Sequence, residues 1–133
     1  MWLRKSTVLT WAIIGLVSLG CPSRPMVVCS EADRAKADEL IIRANELHGV
    51  GAYGEEFELA SRAVGACPAH FRAYVTRGRS RHKLGDLKQA CFDFKRALEL
   101  AQGGDPSPIP SELQFIANMR KQCESIGYWD DLR

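Results

Sequence analysis

The stretch Phe71-Arg72-Ala73-Tyr74-Val75-Thr76-Arg77-Gly78-Arg79-Ser80-Arg81-His82-Lys83-Leu84-Gly85-Asp86-Leu87-Lys88-Gln89-Ala90-Cys91-Phe92-Asp93-Phe94-Lys95-Arg96-Ala97-Leu98-Glu99-Leu100 has a near twin just upstream. Set residues 37–70 above 71–104, and Leu40 falls over Tyr74, Ala44 over Gly78, Gly51 over Gly85, Tyr53 over Leu87 and Ala63 over Ala97, an offset of 34 residues throughout. Self-similarity at a fixed period of this length is the signature of a repeat architecture. Each unit carries apolar residues at helical spacing on both sides of a glycine. In the first, Ala37, Leu40, Ile41, Ala44 and Leu47 recur at steps of three and four, the period of one helix face. Ser30-Glu31-Ala32-Asp33 reads as a capping box that starts this helix. The expected fold class is therefore all-α.

The second unit gives the resemblance its specificity. Ala73-Tyr74, Gly78, Lys83-Leu84-Gly85-Asp86, Ala90, Asp93-Phe94 and Ala97-Leu98-Glu99-Leu100 closely resemble a tetratricopeptide repeat, and Pro68 stands where that family closes the preceding unit. The resemblance implies two helix-turn-helix repeats, about 37–70 and 71–104, within a short α-solenoid domain of residues 31–126. Gly78 and Ala90 are expected where two antiparallel helices cross closely, and Gly85 in the tight turn between them. Arg77 and Asp93 match a pair common in bacterial members and imply a structural salt bridge. Three positions depart from the pattern: Glu56 replaces a usual Ala, Arg81 a usual aromatic residue and Gln102 a closing proline.

Gly103-Gly104-Asp105-Pro106-Ser107-Pro108-Ile109-Pro110 cannot be helix interior. A cap helix of about 111–126 is expected to follow. Ser111-Glu112-Leu113-Gln114 serves as its capping box, and Leu113, Ile116, Ala117 and Cys123 as its apolar stripe. Gly127 ends it, and residues 127–133 read as a tail.

The N-terminus reads as an address. Arg4 and Lys5 precede an apolar run from Val8 to Leu19, the layout of a secretory signal over residues 1–20. The run is short of the ~20 residues a comfortable transmembrane helix needs. Ser18-Leu19-Gly20-Cys21 resembles a bacterial lipobox, which implies cleavage before Cys21, lipidation of that cysteine and a place in the bacterial cell envelope. Pro22 after the cysteine implies the periplasmic side of the outer membrane. Ser18 and Gly20 equally fit ordinary signal cleavage at the same bond. Residues 21–30 then form a lipid-anchored tether.

Cysteine parity agrees. Of the five cysteines, lipidation removes Cys21 and leaves Cys29, Cys67, Cys91 and Cys123, an even set suited to two disulfides in an oxidising compartment. Four cysteines allow three pairings. Antiparallel hairpins turning near Gly51 and near Asp105 bring Cys29 level with Cys67 and Cys91 level with Cys123, so these are the preferred pairs; the alternative is four buried thiols that never bridge. Two repeats are fewer than such arrays usually need, which gives cross-links a purpose.

Function is less legible. The chain carries 18 basic and 16 acidic residues, for a formal net charge of +2. With Arg4 and Lys5 set aside the body balances at 16 against 16, which argues against bulk nucleic-acid binding. Cys67-Pro68-Ala69-His70 has the gap of a zinc pair, but no second compact pair follows and Cys67 is better used in a disulfide. Neither a nucleophile elbow nor a phosphate loop is present, so neither enzyme nor cofactor is expected. In the tetratricopeptide family the first helix of each repeat lines a concave groove. On that resemblance Asp38, Ile41, Asn45 and His48 face it from one helix and Arg72, Val75, Thr76, Arg79 and Lys83 from the other, with Gln114 and Asn118 on the far side. Such a basic groove suits the acidic or C-terminal peptide of another protein; the alternative is a solvated charged face. No small-molecule substrate is expected. A competing reading is a structural subunit that docks into a larger envelope complex through Phe115 and Met119 of the cap helix.

Overall fold

The computed structural model describes residues 28–103 and 107–130, so the expected signal peptide, Cys21 and most of the tether lie outside the described residues. Five helices follow one another: α1 (Glu31–Gly49), α2 (Tyr53–Ala66), α3 (Phe71–Lys83), α4 (Leu87–Gln102) and α5 (Pro110–Ser125). Among the described residues there is no strand, and no helix is long and apolar enough to cross a membrane.

Local chemistry sets the helix ends. Ser30 caps α1, its hydroxyl accepting from the Asp33 N–H at 3.1 Å. The turns after α1 and α3 are built alike. Gly51 and Gly85 take φ of +78° and +86°, the left-handed region that costs glycine least. Gly51 N–H donates to His48 O and Ala52 N–H to Leu47 O; Gly85 N–H donates to His82 O and Asp86 N–H to Arg81 O. The 34-residue offset of the side chains thus reappears bond for bond in the backbone.

The helices pack as successive antiparallel pairs, α1 on α2, α2 on α3, α3 on α4 and α4 on α5, and α1 also meets α3. Ala37, Leu40 and Ile41 close against Ala63, Cys67 and Ala73. Further along, Tyr74 meets Ala97 and Ile116. Small residues set the spacing: a Cβ on Gly78 would stand 3.0 Å from Phe94 Cε1 and 3.1 Å from Asp93 Cβ, so the side chains of α4 close directly on the α3 backbone there.

Two disulfides fasten the ends. Cys29 pairs with Cys67 and Cys91 with Cys123, with Cα separations of 5.4 and 5.7 Å. The first ties the residue before α1 to the end of α2; the second ties α4 to α5. Disulfides belong to oxidising compartments, which points to an extracytoplasmic environment.

Two departures from the sequence-based expectation concern the C-terminal part. The buried stripe of α5 runs through Ile116 and Cys123, flanked by half-buried Phe115 and Met119, while Leu113 and Ala117 are exposed. The disulfide fixes the rotation of α5, and positions 115, 116, 119 and 123 are those that share a face with position 123. Of the expected tail, Tyr128 and Trp129 fold back against the core rather than trail away, and residues 131–133 lie outside the described residues. Trp129 is only 8% exposed and packs beside Cys91, Phe94 and Cys123. Lys95 and Arg120 approach its ring at 5.8 and 5.5 Å, and Lys95 Nζ donates to its carbonyl. An aromatic ring has a far larger apolar area to bury than the polar residues around it in sequence can oppose.

Candidate functional site

A cleft of about 230 Å³ opens where α1, α3 and α5 meet. Ile41 and Asn45 line it from α1, Arg72, Val75, Thr76 and Arg79 from α3, and Ser111, Glu112 and Phe115 from α5. Ile41, Val75 and Phe115 supply an apolar surface; Asn45, Arg72, Arg79 and Glu112 surround it with polar groups.

Of the expected groove residues, Asn45, Arg72, Thr76 and Arg79 come together here, while Asp38, His48 and Lys83 do not line the cleft. Asp38 instead pairs with buried His70, whose ring Nε2 lies 2.8 Å from the Asp38 Oδ1 acceptor. His48 Nδ1 lies 2.9 Å from Glu56 Oε2. The Lys83 ammonium sits 5.9 Å from the centre of the Tyr53 ring. Gln114 and Asn118 bond each other on an exposed face of α5, and Ser111 and Glu112 stand in the place expected of them.

The cleft arginines are not bare charges. Arg79 donates through Nε and Nη2 to Glu56 Oε1 at 3.0 and 2.6 Å, and through Nη2 to Asn45 Oδ1 at 2.7 Å. Glu56 is fully buried. The glutamate that departs from the repeat pattern is therefore the buried anchor of Arg79 and His48, and a carboxylate so placed needs both partners. The other departure has a parallel explanation. Arg81 lies over the Phe57 ring and joins Arg77 on Asp93, also fully buried, at 2.7 Å from each of the two guanidinium groups.

Arg72 grips Glu112 with both arms of its guanidinium, the Nη2–Oε2 bond being 3.0 Å. Glu112 has a second task. α5 begins at Pro110, one residue earlier than expected, and the Glu112 carboxylate accepts from the Ile109 N–H at 2.9 Å. Ile109 has no polar side chain to return the bond, so only half of a capping box forms. Burial opposes the charge on Glu112, yet the bonds from Arg72 and the Ile109 N–H together hold its carboxyl below the ordinary carboxylate range. A depressed carboxyl stabilises the fold at neutral pH and loses that contribution only as pH falls through the depressed range. The Arg72–Glu112 clasp thus persists through mild acid.

Neither carboxylate partner was apparent from the sequence: Glu56 stands out there only as a misfit, and Glu112 only as a cap. The one available signal was the coincidence of a basic run on α3 with an acidic residue at one departure, Glu56. Among the described residues, no group of three or more His, Cys, Asp or Glu side chains is placed to hold a metal ion. Compared with known proteins, the chain matches no family model and no curated protein.

Proposed function

We propose that the protein is a non-catalytic adaptor of the bacterial cell envelope, lipid-anchored through Cys21 behind a cleaved signal, which holds an acidic or C-terminal segment of another protein in the cleft between α1, α3 and α5. The observation that carries this reading is the cleft itself: an apolar surface of Ile41, Val75 and Phe115 bordered by two guanidinium groups, an amide and the Glu112 carboxylate that Arg72 clasps. The rim favours a carboxylate-bearing partner. Arg72 is about one-third exposed and already binds a carboxylate with both arms, the geometry a ligand carboxylate would reproduce in exchange for Glu112. The disulfides support an extracytoplasmic address. The half-buried placing of Phe115 and Met119 against the α4 core leaves the cap helix less to offer as a docking face, so the adaptor reading takes precedence over a structural subunit.

The cleft is tested with Val75→Glu. Val75 is half-buried at the cleft surface, so a carboxylate there repels an acidic segment without opening the core. Binding of an acidic partner peptide is expected to weaken by about tenfold or more, which corresponds to roughly 1.4 kcal/mol, while the helical circular dichroism is retained. Unchanged affinity in the folded variant removes the cleft from the function.

A further inference from the structure

A second and roomier cleft lies elsewhere. A cleft of about 410 Å³ opens between α1 and α2 on the side away from α3, with Leu47 and Leu59 in its floor and Arg43, Glu46, Glu55 and Glu58 around it. Its charges differ from those of the α3 face in one respect. Arg72, Arg77, Arg79 and Arg81 all end on carboxylates of the protein itself. Among the described residues, the side chains of Arg43, Glu46, Glu55 and Glu58 make no hydrogen bond or ion pair. Three carboxylates stand against one guanidinium, an uncompensated charge of −2 around an apolar floor. The apolar surface continues beside it: Ile42, one turn before Glu46 on α1, is 61% exposed, and Val50, which follows the helix, is 78% exposed. The C-terminal end of the helix stack is covered by α5; no described helix covers this end.

We propose that the α1–α2 face is a second docking surface, and that its occupant is a basic amphipathic helix of a partner protein. Such a helix seats a leucine-sized residue between Leu47 and Leu59 and sets lysine or arginine against Glu46, Glu55 and Glu58. Charge complementarity selects it over an acidic helix, because like charges facing one another cost binding energy. A helix is the fitting shape because the groove between two packed helices takes a third through anchors at three- and four-residue steps, as α3 lies against α2 on the other side. The protein then offers an acidic face at one end and an arginine-rimmed cleft on another side, and so can bridge two partners of opposite charge.

The test uses the folded, disulfide-bonded protein and two synthetic helices of about 18 residues, or five turns. They share the same leucines at three- and four-residue steps and differ only in lysines against glutamates on the flanking positions. Fluorescence anisotropy is expected to show binding of the lysine helix, weakened by salt, and at least about tenfold weaker binding of the glutamate helix. Glu46→Lys with Glu58→Lys is expected to abolish the preference. Neither residue has a partner to lose, so the variant keeps its fold by circular dichroism. Val75→Glu, which disables the other cleft, is expected to leave this binding intact, so the two surfaces fail independently. Equal binding of both helices, or lysine-helix binding unaffected by the charge reversals, overturns the proposal. Self-association of the protein that competes with the lysine helix and is dissolved by Glu58→Lys also overturns it, by identifying a second copy of the chain as the occupant.

Discussion

With both disulfides reduced, the protein is expected to be unfolded at room temperature. The bonds close loops with sequence separations of 38 and 32 residues, and on the chain-entropy account each restricts the unfolded state by about 4 kcal/mol. A domain of this size is typically stable by only ~5–15 kcal/mol in total, so losing both removes most or all of it. The two single removals should differ in character. Cys91→Ser with Cys123→Ser frees α5 and with it the packing of Trp129 beside Cys91 and Cys123, so tryptophan fluorescence should report its loss first. Cys29→Ser with Cys67→Ser releases the segment before α1 while α1 still packs on α2 and α3. Denaturant titration of the three variants checks the order. Native-like denaturation of the fully reduced protein contradicts it.

Glu56→Ala and Arg79→Glu are expected to be nearly as damaging, by about 3–5 kcal/mol, the usual consequence of removing one partner from a buried charge pair. Arg79→Glu is not an exposed charge swap. Arg79 is only about one-quarter exposed, and its partner Glu56 is fully buried. The substitution sets two carboxylates together out of water with only His48 to offset them. Glu56→Gln keeps the shape and a hydrogen-bond acceptor and should cost less than Glu56→Ala. Thermal denaturation ranks the variants; an Arg79→Glu protein as stable as the parent would show that Glu56 does not depend on Arg79.

These two predictions mark where sequence and structure part company. The repeat period, the glycine turns, the close approach at Gly78 and the pairing of the four cysteines rest on spacing along the chain, and spacing is visible in the letters. Charge partners are not, because they come from residues 23 and 40 positions apart, as in Arg79–Glu56 and Arg72–Glu112. A basic run on one helix therefore looked like a free electrostatic surface when most of it is consumed internally. The rotation of α5 was hidden for a related reason. Several apolar stripes can be drawn through residues 113–123, and the choice among them is made by the Cys91–Cys123 bond rather than by periodicity. Trp129 is a third case: a lone tryptophan after a helix-ending glycine has no periodic neighbours, so nothing local announces that it returns to the core.

The clefts are legible only in three dimensions. Val75, Asn45 and Phe115 belong to three different helices, and what they have in common is the surface they enclose. Photo-crosslinking from that surface tests the central claim most directly. A photoreactive amino acid is placed at position 75 of the full chain in envelope-bearing cells, with Glu99, exposed on α4, as the control position, and the adducts are mapped by mass spectrometry. The predicted result is one discrete adduct from position 75, absent from position 99, whose cross-linked peptide is acidic or C-terminal in its own protein. Adducts at position 75 no different from those at position 99 would contradict the account.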